Sequence, residues 1–367
     1  MSSNRPWIVR QDHHGVEARR SCIGDNEKSM IEQDIRRNTA ERALVSNTSA
    51  TALAPFVLEP MLVERVWGPM DLAPWYENDT GKPIGEAWLT GGECRVATGE
   101  HRGATLAELS SQAGAALLGP YANFPLLVKI LFPREKLSIQ VHPDDDLAAV
   151  MRAEGDATAL AKNECWYALS SEPGASVALG FRDGVTQDEA RASLGTAQIE
   201  PLLKHVPVKT GDMIFVEAGT VHAIEPGLVL LEVQQMSDTT YRLWDYGRPR
   251  TMHVEQGRRA LHMESASGPV APQRVDSLPM TTAQRLIDTR FFTVERFHLD
   301  VAPQHFMTSN APECVICVEG EATLSSAEDS LTLTAGRAAI VPACTPAYDA
   351  SGKGVIVRCR PGFISTK

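Results

Sequence analysis

Two histidines, a glutamine and a glutamate are the residues of this chain whose types and spacing are best suited to chemistry. In KLSIQVHPDD (136–145), strand alternation places Leu137, Ile139 and Val141 on one face and Ser138, Gln140 and His142 on the other. An apolar back with Ser, Gln and His in front is what a barrel strand presents when its inner face lines a polar site. Glu164 opens the next strand after a helical excursion, and His222 follows the glycine turn of GDMIFVEAGTVH (211–222). Any one of these residues alone is an ordinary satisfied polar group. Together Gln140, His142, Glu164 and His222 offer two imidazole nitrogens and two oxygens, a set suited to a single zinc ion and open to manganese, iron or nickel.

The elements that must position these donors are short strands. PLLVKIL (125–131), KLSIQVH (136–142), ECWYALS (164–170), DMIFVEA (212–218) and LVLLEVQQ (228–235) all have strand character. Short strands at this density predict antiparallel barrels or sandwiches. Helical spacing interrupts them at ATLAELSSQAGAALL (104–118), DDDLAAVMRAEG (144–155) and TQDEARASLGTAQIEPLLKHV (186–206). An internal repeat points to two such units: GDMIFVEAGTVHA (211–223) aligns without a gap on GRAAIVPACTPAY (336–348). His222 falls on Ala347, so only the first copy is equipped for chemistry.

Composition bounds the rest. The chain has 367 residues and a formal net charge of -11. That charge lacks the basic footprint of a nucleic-acid binder, though a few cations in one pocket suffice for a phosphorylated small molecule. No apolar run approaches the ~20 residues of a membrane span, and the first residues lack a secretory signal, so a cytoplasmic location without membrane contact is the expectation. The seven cysteines are scattered, which argues for reduced, buried thiols. Cys314 and Cys317 form a C-x-x-C, but on a strand they face opposite ways and no second pair completes a zinc site. Residues 1–50 are rich in Arg, Asn, Glu and Ser and are expected to form a mobile extension.

GDMIFVEAGTVH resembles the second cupin motif, and QVH a variant of the first with Gln in place of its first His. With FPLLVKILFPREKLSIQVHPDDDLA, AKNECWYAL, EAGTVHAIEPG and LEVQQMSDTTYRLWDYGR, the chain resembles type I mannose-6-phosphate isomerase in its shorter bacterial form, from about Pro55 to the C-terminus. That resemblance implies a mainly β fold of two cupin (jelly-roll-like) barrels with helical insertions. Residues 51–260 would be the catalytic, metal-binding part, and 261–367 a second, degenerate cupin without metal ligands. It implies one zinc held by Gln140, His142, Glu164 and His222, a catalytic Arg242, an acid at Glu232 and a pocket lysine at Lys162. Ser138, Lys129, Asp238 and Arg248 match positions lining a sugar-phosphate cleft. Three positions depart from the family pattern: Glu217 replaces a turn proline, Pro69 follows Trp67-Gly68 in place of glycine, and Ala87 stands where serine is common.

Such an enzyme moves a proton between C1 and C2 of mannose 6-phosphate and fructose 6-phosphate through a cis-enediol. That requires a base beside the carbon pair and a cation for the developing oxyanion. Glu232 is the preferred base, with Lys162 as alternative or helper. The same donors would also serve a cupin oxygenase, and a sugar-phosphate sensor would need no base.

Overall fold

The structure, a computed structural model, describes residues 53–275, 282–327 and 329–362. The extension expected over residues 1–50 lies outside them. The described residues form one compact unit.

Three antiparallel sheets make up this unit. The first has seven strands, in the order Gly268–Val270, Met213–Val216, Glu164–Ser171, Leu228–Gln235, Leu126–Leu131, Ile84–Trp88 and Met61–Glu64. The second has five: Tyr241–Trp244, Ile139–Val141, His222–Ile224, Ser176–Phe181 and Leu203–Pro207. The third has nine, built around the long strands Glu313–Ser325 and Ala347–Pro361. The mainly β cupin architecture expected from the sequence is present, but the sheets stay open, and side chains rather than backbone bonds join the seven- and five-stranded sheets. The chain crosses between those two through connections such as the helix Asp145–Ala153, which leave the seam without a ladder.

Strand alternation builds the core and the site at opposite ends of one interior. Leu131, Trp166, Ile214, Val216 and Leu230 from the seven-stranded sheet meet Val177, Leu179 and Ile224 from the five-stranded sheet. Two residues further along the same faces the side chains turn polar: Lys129 beyond Leu131, Glu164 beyond Trp166, Glu232 beyond Leu230 and His222 beyond Ile224. The outer face of the five-stranded sheet is covered by the helices Asp145–Ala153 and Val254–Ala260 and by the 3₁₀ turn Ala197–Leu202, through Met151, Ala260 and Ile199. The outer face of the seven-stranded sheet packs Val128, Cys165 and Leu231 against Phe292, Cys314 and Ile340 of the nine-stranded sheet, and against Leu106 and Leu109 of the helix Leu106–Ala113.

Several expectations are adjusted. Only Ile139–Val141 of KLSIQVH is a regular strand, and Leu137 lies in the inter-sheet core with Leu131 rather than on the outer face with Ile139 and Val141. The helix at 104–118 is split at Gly114, whose φ of 50° is unfavourable for side-chain-bearing residues. TQDEARASLGTAQIEPLLKHV is helical only at Gln187–Ser193 and Ala197–Leu202; its last residues form the strand Leu203–Pro207, paired with Ser176–Phe181. Pro201 removes a helical donor there and hands the chain to the sheet edge. Cys314 and Cys317 point into different cores, as the strand reading requires.

The two halves share strands across the boundary expected near residue 260. Phe56–Leu58 pairs with Ala338–Val341 in the nine-stranded sheet, and Gly268–Val270 pairs with Met213–Val216 in the seven-stranded sheet. The internal repeat holds in three dimensions. Met213–Val216 and Ala338–Val341 occupy matching positions, and the next strands begin at His222 and Ala347. The matching glycines Gly211 and Gly336 have φ of 91° and 84°.

Candidate metal centre and cleft

Gln140 and His222 are direct cross-strand partners, and Glu164 pairs with both Val216 and Gln234 at the start of its own strand. His142, Glu164 and His222 are fully buried and converge so that their donor atoms lie within 4.8 Å of one another. Both rings are held from behind by backbone carbonyls: His142 Nδ1–H donates to Thr239 O and His222 Nδ1–H to Thr220 O, each at 2.8 Å. That fixes the tautomer and turns each Nε2 lone pair toward Glu164. His222 Nε2 is 3.4 Å from Glu164 Oε1 and His142 Nε2 is 3.7 Å from Oε2. Gln140 Nε2 lies 3.2 Å from His222 Nε2, and its Oε1 accepts from Ser138 Oγ at 3.2 Å.

The separations among His142, Glu164 and His222 fit a common divalent ion. Bonds of about 2.1 Å give a tetrahedron with edges of about 3.4 Å. Both Glu164 oxygens are buried without a hydrogen bond of acceptable geometry, although the Lys162 ammonium lies 2.7 Å from Oε2. Burial alone would raise the Glu164 pKa, but Lys162 and the two histidines outweigh it and hold the carboxyl well below its ordinary range. Burial pushes His222 down to about 3, and burial with Lys162 also lowers His142. Neutral imidazoles and an ionised carboxylate are what a cation requires.

In front of this centre opens a cleft of about 530 Å³, lined by Ser138, Gln140, Lys162, Lys129, Glu232, Asp238 and Arg242 among others. Glu232 is the cross-strand partner of both Lys129 and Trp166. Trp166 Nε1–H donates to its Oε1 at 3.1 Å, and Lys129 Nζ lies 3.6 Å from its Oε2. Burial, opposed by Lys162, raises the Glu232 pKa to about 7. Lys129 is shared among Glu232, Glu86 at 3.7 Å and Asp238 at 3.0 Å, which outweigh its burial and raise its pKa. Arg242, next to Gln140 across the ladder, is half-buried and donates to Thr251 O at 3.3 Å.

Arg248 is not brought to the cleft. Its guanidinium donates to Lys136 O and Glu135, each at 2.8 Å, and to Asp245 at 3.3 Å, because the turn after Trp244 carries it to the outer rim. Arg250 lines the cleft instead, with Arg65, Glu86, Trp67 and His253, none of which was singled out as a site residue. Glu86 left one usable signal, an acid in the middle of the buried strand Ile84–Trp88.

The second half retains a remnant of the same arrangement. Glu164 pairs with Val216 and Glu313 with Val341, and the repeat superposes those valines. By register, Arg358 then stands where Glu232 does and Glu295 where Lys129 does, so that charge pair is inverted. Arg358 donates to both oxygens of Glu313, at 2.7 and 2.6 Å. Ala347 replaces His222, and Met307 replaces Gln140 as its cross-strand partner.

A cupin whose first half gathers a His–Glu–His cluster beside a charged cleft is the class that this fold and site define. The model "Phosphomannose isomerase type I, catalytic domain" matches residues 56–178, and "Mannose-6-phosphate isomerase, cupin domain" matches 282–361. The chain is 33% identical over 289 residues to mannose-6-phosphate isomerase ManA of Bacillus subtilis, covering 75% of this chain and 88% of that one. It is 32% identical over 302 residues to mannose-6-phosphate isomerase of Streptococcus mutans, covering 78% and 92%. The chain belongs to the type I mannose-6-phosphate isomerase family. A crystal structure of the Bacillus subtilis mannose 6-phosphate isomerase superposes with a TM-score of 0.73 at 27% identity, covering 84% of this chain and 99% of that one. A variant of phosphomannose isomerase from Salmonella typhimurium shares the fold at a TM-score of 0.69 and 20% identity, covering 85% and 100%.

Proposed function

We propose that the chain interconverts mannose 6-phosphate and fructose 6-phosphate by proton transfer between C1 and C2 through a cis-enediol, with one zinc held by Gln140, His142, Glu164 and His222. The observation that carries this is the convergence of His142, Glu164 and His222 next to a cleft lined by Gln140, Glu232, Lys162 and Arg242. When bound, the ion polarises the C1 and C2 oxygens as a Lewis acid.

Glu232 is the base: its carboxylate is fixed by Trp166 and Lys129 on the cleft wall and takes the proton from one carbon and returns it to the other. Lys162 stands beside the centre as a donor to the substrate oxygens. Arg242 supplies an always-charged donor to the developing oxyanion. Ser138 and Asp238 are assigned to sugar hydroxyls, and Lys129 to ordering the carboxylates that surround it. Residues 51–260 carry this chemistry, and 261–367 act as the scaffold on which the seven-stranded sheet rests. An oxygenase has no need of such a cationic cleft. No helix among the described residues is long and apolar enough to cross a membrane; a cytoplasmic location is the reading we adopt.

The test is a coupled assay with mannose 6-phosphate supplied and fructose 6-phosphate detected, before and after chelation. Turnover that is lost on chelation and restored by zinc supports the reading. No turnover in the metal-loaded protein removes it.

A further inference from the structure

Five cations line the cleft: Arg65, Lys129, Lys162, Arg242 and Arg250. Lys129 is buried and divided among three carboxylates, and the buried Lys162 ammonium lies 2.7 Å from Glu164 Oε2 beside the centre. Arg65 and Arg250 differ. Each has one edge of its guanidinium held in a carboxylate fork while the rest stays accessible. Arg65 Nε and Nη2 donate to the two Glu86 oxygens at 2.7 and 3.0 Å, and Nη1 donates to Glu64 O at 3.2 Å. Arg250 Nε and Nη2 donate to the two Asp245 oxygens, both at 2.6 Å. A guanidinium offers five N–H groups. Among the described residues, these contacts leave two on Arg65 and three on Arg250, and the side chains are 26% and 22% exposed.

Their supports are rigid. Asp245 is 1% exposed. A Cβ on Gly85 would lie 2.6 Å from both Arg65 Cβ and the Trp67 ring, so that glycine lets the Arg65–Trp67 segment seat directly on its neighbour. Arg242 responds to both arginines: burial first, then Arg250 and, more weakly, Arg65, hold its guanidinium below its ordinary pKa, against Asp245 and Asp238. The other acids of the lining are already engaged, Glu64 by Lys82 at 2.7 Å and Asp238 by Lys129 at 3.0 Å.

We propose that Arg65 and Arg250 form the anchor for the substrate's phosphate, leaving Arg242 free for the reacting end of the sugar. This rests on the sugar-phosphate reading above and leaves the phosphate to neither Lys129 nor Arg248, whose charged ends are engaged by carboxylates. Two planar forks, each pre-ordered by its carboxylate, match phosphate oxygens as a mobile ammonium cannot. Pre-ordering also keeps the entropic cost of gripping the anion low.

The test uses the full, metal-loaded chain, with inorganic phosphate as a calorimetric probe and mannose 6-phosphate in steady-state assays. Arg65→Gln and Arg250→Lys are the variants; lysine keeps a cation beside buried Asp245, so that the fold is not lost with the contact. Each is expected to raise both the phosphate Kd and the KM by about tenfold or more, with kcat within about threefold and metal content unchanged. The anchor is overturned if wild type binds no phosphate, if both variants bind it as tightly as wild type, or if Arg248→Gln alone weakens it. If wild type binds phosphate through these arginines yet isomerises nothing, the anchor stands and the isomerase reading fails.

Discussion

At the residue scale, the chemistry depends on groups held in one protonation state and one orientation. His142 and His222 are neutral, anchored through Nδ1 and aimed through Nε2. Replacing either with alanine is expected to remove the bound metal and the activity together; full occupancy in both variants, measured by metal analysis, would sink the assignment. Arg242→Lys keeps the charge and loses the planar fork. Turnover should fall by roughly 10²–10³ with KM and metal content nearly unchanged. A loss confined to KM would place Arg242 on the phosphate instead. Burial raises the Glu232 pKa to about 7. A base works ionised, so kcat/KM should rise with pH through that limb and fall below it, and a bound cation shifts the limb downward. Glu232→Gln should abolish the limb and reduce turnover by roughly 10²–10⁴; a pH profile identical to wild type would exclude Glu232 as the base.

At the element scale, the same strand alternation that fills the inter-sheet core delivers the site, since Glu232 and Leu230, or His222 and Ile224, differ only by two residues along one face. Close approach of elements is as restrictive as the donors themselves. Gly85→Ala would force a Cβ to within 2.6 Å of Arg65 and Trp67. Overpacking of this kind costs about 1–3 kcal/mol, to be read in a denaturant titration, and KM should rise as Arg65 is displaced. In the nine-stranded sheet, Arg358 neutralises Glu313 at the position that Glu164 occupies in the first half. Arg358→Met strands a carboxylate that is fully buried. A loss of about 3–5 kcal/mol is expected, with partial recovery when Glu313→Gln is added; additive effects in that cycle would refute the pairing.

At the scale of the whole molecule, one of the core clusters joins both halves of the described chain. Phe292, Cys314 and Ile340 of the nine-stranded sheet pack on Val128 and Leu231 of the seven-stranded sheet, and the strand Phe56–Leu58 ties the start of the described chain to the second half. Thermal unfolding of the metal-loaded protein should therefore be one transition, with metal release and loss of β signal at the same temperature. Two separated transitions would mean that the halves unfold independently.

The sequence by itself determined the strands that bring His142, Glu164 and His222 together. Gln140, His142, Glu164 and His222 were legible because a strand's period of two and a glycine turn place side chains locally, without reference to distant segments. The repeat of 211–223 in 336–348 was legible for the same reason, and so was the opposed facing of Cys314 and Cys317. What only the tertiary structure decided depends on segments far apart in the chain. Leu137 left its predicted face because the strand begins only at Ile139, and the residues after Pro201 became a strand because Ser176–Phe181 offered an edge. Arg248 and Arg250 lie two positions apart on one turn, and nothing local distinguishes them. Their assignment follows from where Asp245, Glu135 and the Lys136 carbonyl stand in space. Arg65 and Glu86 likewise joined the cleft only because Gly85 allows their segments to press together.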